Sequence, residues 1–382
     1  MSFLTDLVHS PYQGDHNTGA VVPPIYTATT YAFKDVDGPE RFDYSRSGNP
    51  TRQALEDQVA KLEAGHAAFA FASGMAAIHG ALAIFEKGDH IIVGQQIYGG
   101  TFRLIYNYFL RWGLEVTAVD TRKPEEIRAA IRANTKAIYF EPLTNPLLQV
   151  TSVKQIAALA QEYGLLTIVD NTFLTPYLQQ PLKLGADIVI HSATKYLAGH
   201  SDVSAGIVVV KDSYLAKRVY FNQNALGGIL SPQDANLVRR GIQTLALRMD
   251  RQIANTQAII TFLKTRPEIT QINYPYQPDQ AGFDIIQAES KGLGALFSFE
   301  LATSVDVAKF VSSLKLINLA VSLGAVETLI ELPYKMSHAE LSDAELATAG
   351  ISKQLIRLAV GIEDVQDLIA DLTQALDVAC QK

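Results

Sequence analysis

The chain has 382 residues, 48% hydrophobic and 19% charged, enough for two packed domains. Its net charge of −7 leaves no basic footprint for nucleic acid or an anionic membrane surface, and no apolar run has the length of a bilayer span. One cysteine, Cys380, excludes an internal disulfide framework and a cysteine-based zinc site, and the eight histidines show no metal-ligand spacing. The N-terminal run MSFLTDLVHSPYQGDHN lacks the basic and apolar regions of a signal peptide, so a metal-free cytoplasmic protein is expected.

Residues 1–54 are polar and rich in Pro, Gly and Thr, yet carry Tyr26, Tyr31, Phe33, Phe42 and Tyr44. So long an irregular stretch cannot form its own core, and its aromatic content suits an N-terminal arm packed on a neighbouring subunit. From residue 55 to 245 strand-like and helix-like runs alternate. AAFAFAS (67–73), DHIIVG (89–94), LEVTAVD (114–120), KAIYFEP (136–142) and LLTIVD (165–170) read as strands. The runs 74–88, 101–113, 124–134 and 152–164 read as the helices between them. Strands that are apolar throughout, with helices between, predict a mostly parallel sheet covered on both faces. A long helical stretch over 233–265 leads into residues 246–382, which read as a smaller α/β domain ending in a helix.

Candidate chemistry falls at the strand ends of the first domain. Lys195 follows the buried run DIVIHSA in a Ser/Thr/Gly-rich turn, where partial desolvation would lower its pKa and free its amine for carbonyl attack. An exposed loop lysine is the alternative. Asp170 ends LLTIVD, and a carboxylate at the tip of a buried strand needs a partner unless it serves as a turn residue. Ser73-Gly74-Met75 sit where a strand turns into a helix, so free N–H groups and the helix dipole favour a phosphate. Ser192 and Thr194 flank the lysine as hydroxyl donors, and Tyr98 precedes a Gly-Gly turn that leaves its ring available. Amine, carboxylate, phosphate donors and aromatic face together match the needs of pyridoxal 5'-phosphate.

The motifs YSRSGNPT, FASGMAA, YGGT, VDNTF, SATKYLAGHSD, LSPQDANLVRRGIQTL, VSLGAVE and LIRLAVGIED run nearly end to end. In this combination the chain resembles the Cys/Met-metabolism group of pyridoxal-phosphate enzymes. The resemblance implies an α/β, PLP-dependent transferase-like (fold type I) architecture, with 55–245 as the cofactor domain and 246–382 as the C-terminal domain. It gives Lys195 the Schiff base and proton shuttle, Asp170 the pyridinium nitrogen, and Tyr98 ring stacking and proton handling. Gly74, Met75, Ser192 and Thr194 would hold the phosphate, joined by Tyr44 and Arg46 from a neighbouring subunit, and Thr172 would lie behind the ring. Arg357 would clamp the substrate α-carboxylate with a rigid fork, beside Ser322 and Asn145. The expected partners are an amino-acid substrate and further copies of the chain, in dimers that share active sites and pair as tetramers.

Departures from the family pattern bear on substrate. EPLTNP (141–146) moves a proline while keeping Asn145 in register, and Gly100 stands where methionine γ-lyases carry cysteine. Val321 replaces a glutamate common in γ-lyases, whereas Asp43 and Arg103 keep charges suited to a dipolar amino-acid tail. The expected activity is C–S cleavage of cystathionine, γ-elimination ahead of β-elimination and a γ-synthase third. Two readings compete. SATK fits the SxxK pattern of serine acyl enzymes but lacks the accompanying KTG strand. A cofactor-free binding protein has no use for Lys195, Asp170, Tyr98 and Arg357 together. KGLGALF (291–297) is no dinucleotide fingerprint, lacking the third glycine.

Overall fold

β-Branched and apolar residues fill the strands so completely that His90–Gly94 and Gly206–Val210 are buried at every position, as expected of strands covered on both faces. The computed structural model describes residues 2–9, 11, 15, 18–38, 41–275, 278 and 280–380; parts of the sequence-predicted arm (10, 12–14, 16–17 and 39–40) lie outside them. The chain divides into two compact units. The first comprises Met1–Gln95, Gly100–Glu141 and Ser152–Ala246, and the second Gln96–Gly99, Pro142–Thr151 and Leu247–Lys382. Tyr98 and Asn145 therefore group with the second unit, although they follow strands of the first.

The first unit opens with α1 (Phe3–Val8), α2 (Pro50–Leu62), β1 (Ala67–Phe71), α3 (Gly74–Leu82) and β2 (His90–Gly94). It continues through α4 (Gly99–Asn107), β3 (Glu115–Val119), α5 (Pro124–Ala130), β4 (Thr135–Phe140), α6 (Val153–Glu162) and β5 (Leu166–Asp170). Then come α7 (Thr175–Leu178), β6 (Ile188–Ser192), β7 (Gly206–Val210), α8 (Ser213–Leu226) and α9 (Pro232–Gln243), while α10 (Leu245–Leu263) belongs from Leu247 onward to the second unit. The seven strands form one sheet in the order β1-β7-β6-β5-β4-β2-β3. Every pairing is parallel except those of β7, which runs antiparallel between β1 and β6.

Helix starts follow their side-chain caps. Asn49 accepts from the N–H groups of Thr51 and Arg52 ahead of Pro50, and Ser73, Ser152 and Ser231 cap α3, α6 and α9 in the same manner. Several helices stop short of the lengths read from sequence. The run 124–134 ends at Ala130 because Thr135 turns back on Arg132, its hydroxyl accepting from the Arg132 N–H at 2.7 Å. The stretch 233–265 breaks at Thr244 into α9 and α10. There Gly241 packs so closely that a Cβ would lie 2.1 Å from the Ala198 carbonyl oxygen, which fixes α9 against the loop following Lys195.

The second unit contains β8 (Ile269–Asn273), α11 (Phe283–Glu289), β9 (Leu296–Leu301), α12 (Val307–Ser313), β10 (Asn318–Leu319) and β11 (Leu329–Glu331). It ends with α13 (Asp343–Thr348), β12 (Leu355–Ala359) and α14 (Val365–Ala379), which is capped by Asp364 and followed by Cys380. Its five strands are ordered β10-β11-β12-β9-β8 and are antiparallel apart from β10 with β11. Among the described residues no helix is long and apolar enough to cross a membrane.

Candidate active site

β5 and β6 are parallel neighbours with Asp170 opposite Ile190, so Asp170 and Ser192 emerge at the same carboxyl edge of the sheet. Such edges are where open α/β sheets bind ligands. Past Ser192 the chain closes a tight turn: the Lys195 N–H donates to the Ser192 carbonyl at 3.1 Å, and the Gly199 N–H to the Lys195 carbonyl at 2.8 Å. That turn holds Lys195 half-buried, three residues beyond the strand.

α3 begins at the same edge. Ser73 Oγ accepts from the Ala76 N–H at 3.0 Å, leaving the first-turn N–H groups of Gly74 and Met75 for an anion. Two glycines allow this closeness. A Cβ at Gly206 would meet the Ser73 carbonyl oxygen at 2.2 Å, and one at Gly74 would lie 2.9 Å from Ser192 Oγ. Ser192 thus stands beside the helix N-terminus. Thr194 is less open: its hydroxyl accepts from the Ala205 N–H at 2.9 Å and donates to the Ala205 carbonyl at 3.2 Å. With its proton committed, Thr194 must rotate before it can donate to a phosphate.

Asp170 is held by Thr172, whose N–H and hydroxyl both donate to Oδ1, at 3.1 and 2.5 Å. The Thr172 hydroxyl in turn accepts from the Ser192 N–H at 2.8 Å, tying the two strand ends together. Burial raises the Asp170 pKa against the opposing pull of the Thr172 hydrogen bonds and of His191. Beside it, burial and the charges of Asp170 and Glu141 push the Tyr139 phenol well above its ordinary value. Both Thr172 bonds end on Oδ1, and a cationic partner beside the carboxylate would relieve the cost of burying it. Half-buried amine, enclosed carboxylate and helix N-terminus with a neighbouring serine fit pyridoxal phosphate, with Lys195 for its aldehyde, Asp170 for its ring nitrogen and Gly74, Met75 and Ser192 for its phosphate.

Asp43, Tyr44 and Arg46 lie exposed on an anchored turn. Tyr44 bridges Thr30, and the buried Arg52 donates to the carbonyls of Ser45 (2.7 Å) and Arg46 (3.2 Å) while pairing with Glu56 at 3.4 Å. The Arg46 guanidinium stacks 5.6 Å from the Tyr44 ring centroid, and its Nη1 donates to the backbone and side-chain oxygens of Asn224 at 2.9 and 3.0 Å. Arg103 is exposed on α4.

In the second unit Arg357, Asn145 and Ser322 meet. Arg357 Nη1 donates to Asn145 Oδ1 at 3.2 Å and Nη2 to the Ser322 carbonyl at 2.8 Å. Ser322 adopts a left-handed φ of 92°, a strained conformation for a residue with a side chain, and its neighbour Val321 is 60% exposed. Tyr98, 47% exposed, immediately precedes α4.

Sequence reasoning missed the groups that brace these residues. Glu331 pairs with Arg357 at 2.8 Å, and Glu63 pairs with His191 at 2.6 Å, each carboxylate lying far in sequence from its partner. Only the folded topology brings them together, so no local motif announces them.

A model of the Cys/Met metabolism PLP-dependent enzymes matches residues 4–377. The chain is 47% identical over 376 residues to a cystathionine beta-lyase of Lactococcus lactis, covering 98% of this chain and 99% of that one. It is 46% identical over 377 residues to a cystathionine gamma-lyase of Bacillus subtilis, with 99% and 100% covered. Its structure matches that of a cystathionine gamma-lyase from Lactobacillus plantarum complexed with L-serine, with a TM-score of 0.97, 48% identity and 99% of each chain covered. The chain belongs to the Cys/Met-metabolism family of PLP-dependent enzymes: it has their fold type I architecture, depends on pyridoxal phosphate and acts in trans-sulfuration.

Proposed function

We propose that the chain is a cystathionine γ-lyase, converting cystathionine and water to cysteine, 2-oxobutyrate and ammonia, with β-elimination and H2S release from cysteine as a side activity. It would work in the cytoplasm as a homotetramer, a pair of dimers that share active sites, Tyr44 and Arg46 reaching a neighbour's phosphate. The observation that carries the reading is the fixed Arg357 fork, held by Asn145 and Ser322, in a chain that also presents Lys195 and Asp170 at adjoining strand ends. The 48% identity to the Lactobacillus plantarum γ-lyase supports γ-elimination, while the 47% identity to the Lactococcus lactis β-lyase makes β-elimination the second reading.

Pyridoxal phosphate, when bound, supplies an electron sink for negative charge at the substrate Cα. Arg357 and Asn145 would grip the substrate α-carboxylate and fix its orientation. Lys195 Nζ would take the Cα proton, and the Asp170 carboxylate would keep the ring nitrogen of the bound cofactor protonated. For γ-elimination Lys195, once it has passed on the first proton, would take a second from Cβ so that sulfur departs from Cγ; in the β route sulfur would leave Cβ directly. Tyr98 would stack on the cofactor ring and help move the proton that the departing sulfur takes up. Asp43 and Arg103 recognise the distal amino-acid end, where Val321 offers no carboxylate.

The test is to supply the purified holoprotein with cystathionine and identify the products. Cysteine with 2-oxobutyrate supports the reading, and homocysteine with pyruvate moves it to β-lyase. No product until an O-acylhomoserine and cysteine are added would make it a synthase.

A further inference from the structure

We propose that Glu331 is the positioning residue of the carboxylate clamp, itself held by Ser337 and His338. The proposal rests on reading Arg357 as that clamp. β11 and β12 run antiparallel in a register that sets Glu331 directly opposite Arg357. The side chains of Glu331 and Arg357 are 1% and 4% exposed, and Glu331 Oε2 lies 2.8 Å from Arg357 Nη2. A guanidinium so buried needs a buried counter-charge, and removing one partner leaves the other uncompensated.

The pair is braced from behind. Ser337 Oγ donates to Glu331 Oε1 at 2.6 Å and lies 2.9 Å from His338 Nδ1. Since the single Ser337 proton is already given to Glu331, Nδ1 must carry its own hydrogen and donate to Ser337 Oγ. Burial, reinforced by the Arg357 charge, lowers the His338 pKa against the opposing pull of a hydrogen bond with the Asn145 backbone, which favours the neutral ring. The guanidinium is thus fixed by Glu331, the Ser322 carbonyl and Asn145 Oδ1. With Glu331 cancelling the charge of Arg357, the clamp recognises a carboxylate through the orientation of its N–H groups more than through net charge. Loss of Glu331 removes one of these three supports and leaves the buried guanidinium charge uncompensated, which loosens its orientation.

The experiment titrates the holoprotein with L-serine and with ethanolamine, the same molecule without its carboxylate, following the absorbance of the bound cofactor. Glu331→Ala is expected to cut the preference for serine at least tenfold and leave the ethanolamine titration unchanged. Glu331→Gln keeps the shape and an acceptor for Ser337, and Ser337→Ala frees one Glu331 oxygen; both are expected to lose three- to tenfold, and both remain informative if the alanine variant at 331 does not fold. Arg357→Lys must abolish the serine preference. If it does so while the Glu331 and Ser337 variants retain that preference, the role of Glu331 is refuted alone. If Arg357→Lys retains it, the clamp reading and the Glu331 role fall together. Equal weakening of serine and ethanolamine in the Glu331 variants would mean a merely structural role and also overturn the proposal.

Discussion

Replacing Gly206 with alanine tests how the fold builds the phosphate cradle. The added methyl would sit 2.2 Å from the Ser73 carbonyl oxygen and 2.7 Å from Ala77 Cβ. β7 cannot yield easily, because it is hydrogen-bonded to β1 on one side and β6 on the other. The start of α3 must therefore back away by roughly 1 Å, carrying the Gly74 and Met75 N–H groups from Ser192. Overpacking of this kind costs about 1–3 kcal/mol. If the strain is felt at the cradle, the dissociation constant of pyridoxal phosphate rises roughly 5- to 150-fold, at about 1.4 kcal/mol per decade. Titration of the cofactor-free protein by absorbance reads this directly. Gly65→Ala is the control: its methyl would meet Val209 Cγ1 at 2.4 Å, near the other end of β7. That variant should lower the thermal midpoint and bind the cofactor normally. Unchanged affinity in Gly206→Ala, with stability lowered as in the control, would refute the reasoning.

Asp170→Asn should retain the cofactor but turn over cystathionine at least ~100-fold more slowly, since an amide cannot balance the ring cation. Because burial raises the folded pKa of Asp170, the cofactor-free protein is favoured below the unfolded value of about 3.8 and loses that increment as pH rises through the raised value. Asp170→Asn should flatten this part of the profile of thermal midpoint against pH, and identical profiles would count against it. Asp371 accepts from the N–H groups of Lys315, Leu316 and Ile317, each at 2.9 Å. Burial works against the charge, but those bonds and Gln374 outweigh it and lower the pKa, so the stabilisation is present above about 3.8 and is lost as pH falls through the depressed value. Asp371→Ala should cost about 2–4 kcal/mol at neutral pH, read as an earlier urea transition of the second unit. Arg46→Ala should weaken cofactor binding if the arm reaches a neighbour's phosphate, and unchanged affinity would remove that contact.

The residues legible in the sequence are those whose chemistry and placement are both local. Lys195 and Asp170 each follow a recognisable apolar strand, and Ser73-Gly74-Met75 mark a strand-to-helix turn by composition alone. What could not be read depends on register and topology. Glu331 reaches Arg357 only through the β11–β12 pairing, and β7 runs antiparallel in an otherwise parallel sheet although its sequence, GIVVV, is as apolar as its neighbours. The break at Thr244 escaped because apolar periodicity continues across it, while its cause, the contact of Gly241 with the loop after Lys195, is tertiary. Thr194 carried the right hydroxyl, but only the fold reveals that Ala205 already engages it.

Lys195 is the residue expected to carry the cofactor. Borohydride reduction of the holoprotein fixes the cofactor to the amine that holds it, and peptide mapping then identifies that amine. A single modified peptide, with the added mass on Lys195, is the predicted result. The mass on another lysine, or a cofactor lost without any covalent label, would contradict it.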